Sequence, residues 1–180
     1  MELFEAIKER HSYRGAFKPQ PVPEKDLRKI VQAGLDAPSG KNLQTTQFVI
    51  INQPDTLSQV KAVFAGQPFI LTAPAFIATI IDTNRQPAPE YAYTFEIEDN
   101  AAATQNLLLA ITGLGYASVW LDGALRDDQR AEKIGKAIGL PESKHVGVLL
   151  PVGVPTEAGS RKPKLPFAQR AWFNQYASAV

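Results

Sequence analysis

The chain has 180 residues, with 19 basic and 18 acidic side chains and a formal net charge of +1, which speaks against whole-surface attraction to nucleic acid or anionic membrane. It has no cysteine and only two histidines, His11 and His145, which excludes disulfides, thiolate catalysis, zinc fingers and iron–sulfur ligation and leaves no histidine-rich metal site. A hydrophobic fraction of 44% at this length suffices for one sizeable core, so any demanding chemistry calls for a borrowed organic cofactor.

Residues 2–9 place Leu3, Phe4 and Ile7 on one face and read as a short amphipathic helix, not a signal peptide. Pro23, Glu24 and Asp26 form a helix start, Leu27, Ile30, Val31 and Gly34 follow at helical spacing, and Pro38 ends the helix. Residues 47–51 predict a strand, closed by the turn Asn52-Gln53-Pro54-Asp55. A third helix over 56–64 precedes a second strand over 75–82. Residues 83–95, rich in Pro and Tyr, read as an exposed excursion in which Tyr91, Tyr93 and Phe95 either line a substrate pocket or staple the segment.

A long helix is expected over 98–112. Its centre, Leu107-Leu108-Leu109-Ala110-Ile111, is apolar almost all round and must be buried on several faces, in a core or against a partner chain. Residues 117–121 predict a third strand, 127–138 a charged amphipathic helix and 145–152 a fourth strand. Residues 155–180 carry Pro155, Pro163 and Pro166, then an expected aromatic helix with Trp172, Phe173 and Tyr176. No linker divides the chain, so a single domain over 1–180 is expected. Strands and helices mix without strict βαβ alternation, which favours α+β. The longest quasi-apolar stretch, 69–81, is too short to span a bilayer. With no export signal, a soluble cytoplasmic protein is the expectation.

The balanced charge is unevenly distributed. Three stretches carry bases and no acid: 10–23 with Arg10, Arg14 and Lys18; 37–54 with Lys41; and 158–180 with Arg161, Lys162, Lys164 and Arg170. Guanidinium, ammonium and hydroxyl donors clustered in loops suit a phosphate monoester, and the three stretches are expected to share one anion site. Two other patterns are set aside. Gly113-Leu114-Gly115 follows a helix and leads into a strand, the reverse of a dinucleotide fingerprint, so a helix C-cap is expected there. Ser12, His11 and Asp99 name a hydrolase triad only by residue type, with no nucleophile elbow. His145 and the two tryptophans, Trp120 and Trp172, take structural readings.

The sequence resembles the nitroreductase family of FMN-dependent NAD(P)H oxidoreductases at four places in family order. Arg10-His11-Ser12-Tyr13-Arg14 is similar to its Arg-x-Ser-x-Arg/Lys opening, and Pro38-Ser39-Gly40-Lys41-Asn42-Leu43-Gln44 to its Pro-Ser-x-x-Asn-x-Gln segment. Gly113–Gly123 is similar to its Gly-Leu-Gly stretch with a following acidic-Gly pair. Lys162-Pro163-Lys164-Leu165-Pro166 is similar to its closing phosphate motif. Thr45-Thr46 replaces the frequent Pro-Trp, Lys164 replaces the usual Arg, and the chain is short for the family.

The resemblance implies a central, mainly antiparallel sheet surrounded by helices, and a homodimer with two FMN sites at its interface. The 107–111 surface would then be the dimer seam. Arg10, Ser12, Lys162 and Lys164 would grip the phosphate. His11 either donates to it or packs against the loop. Arg14, Pro38, Ser39, Asn42 and Gln44 would contact the flavin, with an Asx-turn as the other reading of Asn42. Leu121, Asp122 and Gly123 would bring backbone groups beside the ring. NADH or NADPH would deliver hydride and a nitroaromatic or quinone would take it, in two half-reactions. The alternative is an FMN-binding or storage protein without turnover.

Overall fold

The computed structural model describes residues 1–64, 66–82 and 93–176. Its centre is an antiparallel sheet of β1 (Gln47–Ile51), β2 (Ala75–Asp82) and β3 (Lys144–Val152), in the order β1-β2-β3. The register runs from Ile51 opposite Phe76 and from Ala75 opposite Val152, and it shifts between Thr79 and Ile80. At that shift the buried Thr79 hydroxyl takes a hydrogen bond from the Val148 N–H at 2.9 Å.

The near-continuous apolar run of β2 arises because both faces are covered. Phe76, Ala78 and Ile80 point into one cluster with Val60, Phe64, Ile70 and Ile134. Ala75 and Ile77 point into the other, with Leu27 and Ile30 of α2 (Glu24–Leu35) and with Leu107, Leu108 and Ile111 of α5 (Glu96–Gly113). This period-two alternation sets one helical layer on each side of the sheet.

The apolar centre of α5 is therefore core. Leu107, Leu108 and Ile111 are buried within their own chain, so they are unavailable for the expected dimer seam, and only Leu109 and Ala110 of that run remain half-buried. At the end of α5 the Tyr116 N–H bonds Ile111 O and the Gly115 N–H bonds Thr112 O, both at 3.0 Å. Gly115 sits at φ +81°, which completes a Schellman cap and accounts for the Gly-Leu-Gly pattern there.

The shorter helices are α1 (Leu3–Glu9), α3 (Pro54–Ala62), α4 (Pro68–Leu71) and α6 (Arg130–Ala137). Helix α3 starts two residues earlier than expected because Pro54 serves as its first residue, where a missing N–H is no loss. The face of α1 carrying Leu3, Phe4 and Ile7 stays exposed and only Ala6 is buried.

Two expectations fail. Residues 117–121 form no continuous strand: Ala117 and Leu121 bridge to Gly153 and Leu149, while the intervening Ser118 bridges to Ser12 on the other side. The segment thus joins the sheet to the Arg10–Arg14 loop. The aromatic helix also does not form, since the described part of 155–180 holds only a 3-10 turn at Phe167–Gln169. Three prolines withhold N–H donors there, and of the aromatic side chains only Trp172 is half-buried while Phe173 is 83% and Tyr176 79% exposed. Most of the 83–95 excursion, with Tyr91, lies outside the described residues. Tyr93 and Phe95 make an edge-on ring contact at 5.2 Å. Among the described residues no helix is long and apolar enough to cross a membrane.

Candidate functional site

The loop after α1 is extended and held along its length. The Tyr13 N–H bonds Ser118 O at 2.9 Å, the Phe17 N–H bonds Thr72 Oγ1 at 2.8 Å and the Lys18 N–H bonds Val154 O at 2.8 Å. Tyr13 and Phe17 are buried with ring centroids 5.3 Å apart, and the Tyr13 hydroxyl donates to Ala16 O at 2.6 Å while receiving the Thr156 N–H at 3.2 Å. In an extended backbone with Tyr13 turned inward, Ser12 and Arg14 point the other way, and both are exposed.

Opposite them runs the segment 157–164, tied to α1 by the Arg161 guanidinium, which donates to Lys8 O at 2.7 Å. Between the two lies a cavity of about 750 Å³ whose lining includes Arg10, His11, Ser12, Arg14, Lys162 and Lys164. Among the described residues none of these four cations makes an ion pair, although Glu157 also lines the cavity. Four cations gathered without paired acids create a positive field that favours an anion in the cavity.

His11 also lines the cavity. One ring nitrogen, Nδ1, lies 2.9 Å from Glu9 O, which makes it the donor, and Nε2 is buried with no partner. A Cβ placed on Gly159 would stand 1.9 Å from Nε2, so only glycine fits beside this nitrogen. The donor set fits an FMN phosphate: two guanidiniums and a hydroxyl on one side of the cavity and two ammoniums on the other.

The basic stretch 37–54 goes elsewhere, so the single shared anion site does not form within one chain. Pro38, Ser39 and Gln44 line a separate cavity of about 380 Å³, together with Thr45 and Asp99. The loop is strained, with Lys41, Asn42 and Gln44 at φ of 54°, 56° and 51°. For residues with a Cβ this left-handed geometry costs about 1–2 kcal/mol each. Asp99, buried in the first turn of α5, holds it: Oδ1 accepts the Gly40 N–H at 2.8 Å and Oδ2 accepts the Thr45 hydroxyl at 2.6 Å. Asn42 is exposed, its backbone N–H bonded to Ser39 O at 3.0 Å.

Leu121 is buried on its bridge to Leu149, and Gly123 opens the 3-10 turn Gly123–Leu125. Both Asp122 carboxylate oxygens take Arg126 donors at 3.0 Å. Asp122 also lines a third cavity, of about 480 Å³, with Trp120 and His145. Sequence reasoning missed Tyr13 as the floor of the basic loop, Glu157 on the cavity wall and the Asp99–Thr45 clamp. Asp99 shares the first turn of α5 with Glu96 and Glu98, so residue type alone did not single it out.

The sequence model of the nitroreductase family matches residues 7–78 and 58–154 of the chain. The chain belongs to the nitroreductase family. An NADPH-dependent oxidoreductase of Staphylococcus epidermidis is 29% identical over 190 residues, covering 97% of this chain and 74% of its own. The crystal structure of nitroreductase A from Vibrio parahaemolyticus superposes with a TM-score of 0.81 at 26% identity, covering 100% of this chain and 79% of that one. The NfrA1 nitroreductase of B. subtilis, at 19% identity, shares the fold with a TM-score of 0.83 over 99% of this chain and 76% of its own. The nitroreductase fold accounts for the antiparallel sheet flanked by helices.

Proposed function

We propose that this nitroreductase-family chain is an FMN-dependent NAD(P)H oxidoreductase. The observation that carries the reading is the cavity in which Arg10, Arg14, Lys162 and Lys164 converge without paired acids. Arg10, Ser12, Lys162 and Lys164 hold the phosphate, while His11 packs against the 157–164 segment at Gly159. Arg14, Asn42 and Gln44 donate to the polar edge of the flavin, and the backbone at Leu121, Asp122 and Gly123 borders the ring. Bound FMN would supply the hydride chemistry between NADH or NADPH and an oxidised acceptor such as a nitroaromatic or quinone, in two alternating half-reactions. The protein supplies orientation and a preformed positive field, which acts without reorganising.

The working unit is a homodimer. Two facts support this together: the 38–44 loop and the basic cavity are separate in one chain, and Phe4 of α1, Ile97 of α5 and Phe173 stand exposed. A second copy accounts for both by covering the apolar side chains and sharing each flavin between loops of different subunits.

The test is the absorbance spectrum of freshly purified protein. Flavin bands that bleach with NADH or NADPH and return with an acceptor are expected. Bound flavin that neither nucleotide reduces would establish the storage reading instead, and a protein that takes up no FMN would remove both.

A further inference from the structure

We infer that Asp99 is the positioning residue of the flavin site, acting through the loop and not by touching the cofactor; this rests on the FMN reading above. The strained segment makes the argument. Three residues of four, Lys41, Asn42 and Gln44, hold left-handed backbone that an unrestrained loop would abandon. Hydrogen bonds within the loop are local: the Gln44 N–H to Ser39 Oγ at 3.0 Å, the Asn42 and Leu43 N–H groups to Ser39 O and Gly40 O, both at 3.0 Å, and the Gln44 side-chain amide to Asn42 O at 3.4 Å. Such contacts close a turn without fixing where it stands relative to the sheet.

Asp99 supplies that reference. It is one of two acids buried in the first turn of α5, a helix anchored on the sheet through Leu107 and Ile111. One carboxylate grips the loop at both ends, with Oδ1 on the Gly40 N–H and Oδ2 on the Thr45 hydroxyl. The strained residues lie between these two points. A carboxylate suits this post because it accepts from both donors at once and competes with neither, whereas an amide must turn one nitrogen toward one of them. The clamp thereby presets Asn42 and Gln44, so that binding FMN does not first have to order them.

The test uses the full-length protein and three substitutions, Asp99→Ala, Asp99→Asn and Thr45→Val. FMN affinity is titrated by flavin fluorescence, the bound flavin's environment is read by visible circular dichroism, and Gly40 amide exchange is followed in apoprotein. Asp99→Ala is expected to weaken FMN by about tenfold or more, alter the flavin dichroism and release Gly40 protection. Asp99→Asn should recover part of the affinity and of the Gly40 protection, since its Oδ1 still accepts that N–H. Thr45→Val should lose less than Asp99→Ala. If the parent binds FMN and all folded variants match it in affinity and dichroism, the role of Asp99 is overturned while the FMN reading stands. Should Asp99→Ala not fold, the same outcome in the Asn and Val variants overturns it. A parent that binds no FMN overturns the FMN reading itself.

Discussion

Arg10 and Arg14 follow one short helix, Arg126 precedes another that Arg130 opens, and the two pairs meet opposite fates. The Arg126 guanidinium is spent on both oxygens of Asp122. Arg130 donates to Ala124 O at 2.9 Å and to Asp128 at 2.7 Å, and lies 5.8 Å from the centre of the Phe64 ring. Arg10 and Arg14 face a cavity and, among the described residues, have no carboxylate partner. One region uses cations to hold the fold; the other holds cations ready. The difference teaches that charge alone does not mark a site. What marks it is charge that the fold leaves unneutralised.

The largest expected effect breaks the comparison on its open side. Arg10→Ala or Arg14→Ala should each lose charge-assisted hydrogen bonds of about 1.5–3 kcal/mol from FMN binding. Stability should move by less than about 0.5 kcal/mol, since neither side chain is paired in the fold. Fluorescence titration of the apoprotein and urea unfolding measure the two quantities. Unchanged FMN affinity in both variants would move the phosphate out of this cavity.

The paired side should respond the other way. Arg130→Ala removes two hydrogen bonds and a ring contact from a side chain that is only 17% exposed. It should therefore destabilise the protein by about 1.5–3 kcal/mol in urea, with FMN affinity intact. Arg130 also steadies Asp128 and Gln129, which sit at φ of 52° and 55° just before α6. A loss of FMN binding there, without a loss of stability, would collapse the distinction between the regions.

How much of this was legible in the sequence follows the same division. Strands β1 and β2 were read to the residue, because apolar runs bounded by Asn-Gln-Pro and similar turns report local preference directly. The Arg10–Arg14 and Lys162–Lys164 donors were legible because acid-free stretches are a property of the chain itself. The failures involve information held between segments. Residues 117–121 have strand-like sequence, yet Ser118 pairs with Ser12 while Ala117 pairs with Gly153 just beyond β3 and Leu121 with Leu149 of β3. Trp172, Phe173 and Tyr176 have helical spacing, but Phe173 and Tyr176 find no surface within the chain to bury them and the helix is not formed. The buried run in α5 could not show whether its cover came from α2 or from another chain; the packing against Leu27 and Ile30 decides for Leu107, Leu108 and Ile111. Asp99 was visible only as a residue type, because its partners Gly40 and Thr45 are more than fifty positions away.

The smallest expected effect sharpens the paired side through pH. The Tyr116 hydroxyl donates to Asp26 at 2.7 Å, which ties the C-terminal end of α5 to the first turn of α2. Burial first, then the hydrogen bond and the charge of Asp26, push the Tyr116 hydroxyl up from 10.0 to about 12. The unfolded chain therefore gives up this proton before the folded one does. Between pH 10 and about 12 the folded state binds more protons, so stability falls as pH rises, and below pH 10 the contribution is fully present. Tyr116→Phe should cost about 1 kcal/mol at neutral pH and show a shallower loss of stability across that window. Urea midpoints of both proteins, taken from neutral to alkaline pH, measure it. Parallel pH curves would mean that the Tyr116–Asp26 bond does not hold α2 to α5, and that pairing among buried groups contributes less to this fold than the Arg130 variant suggests.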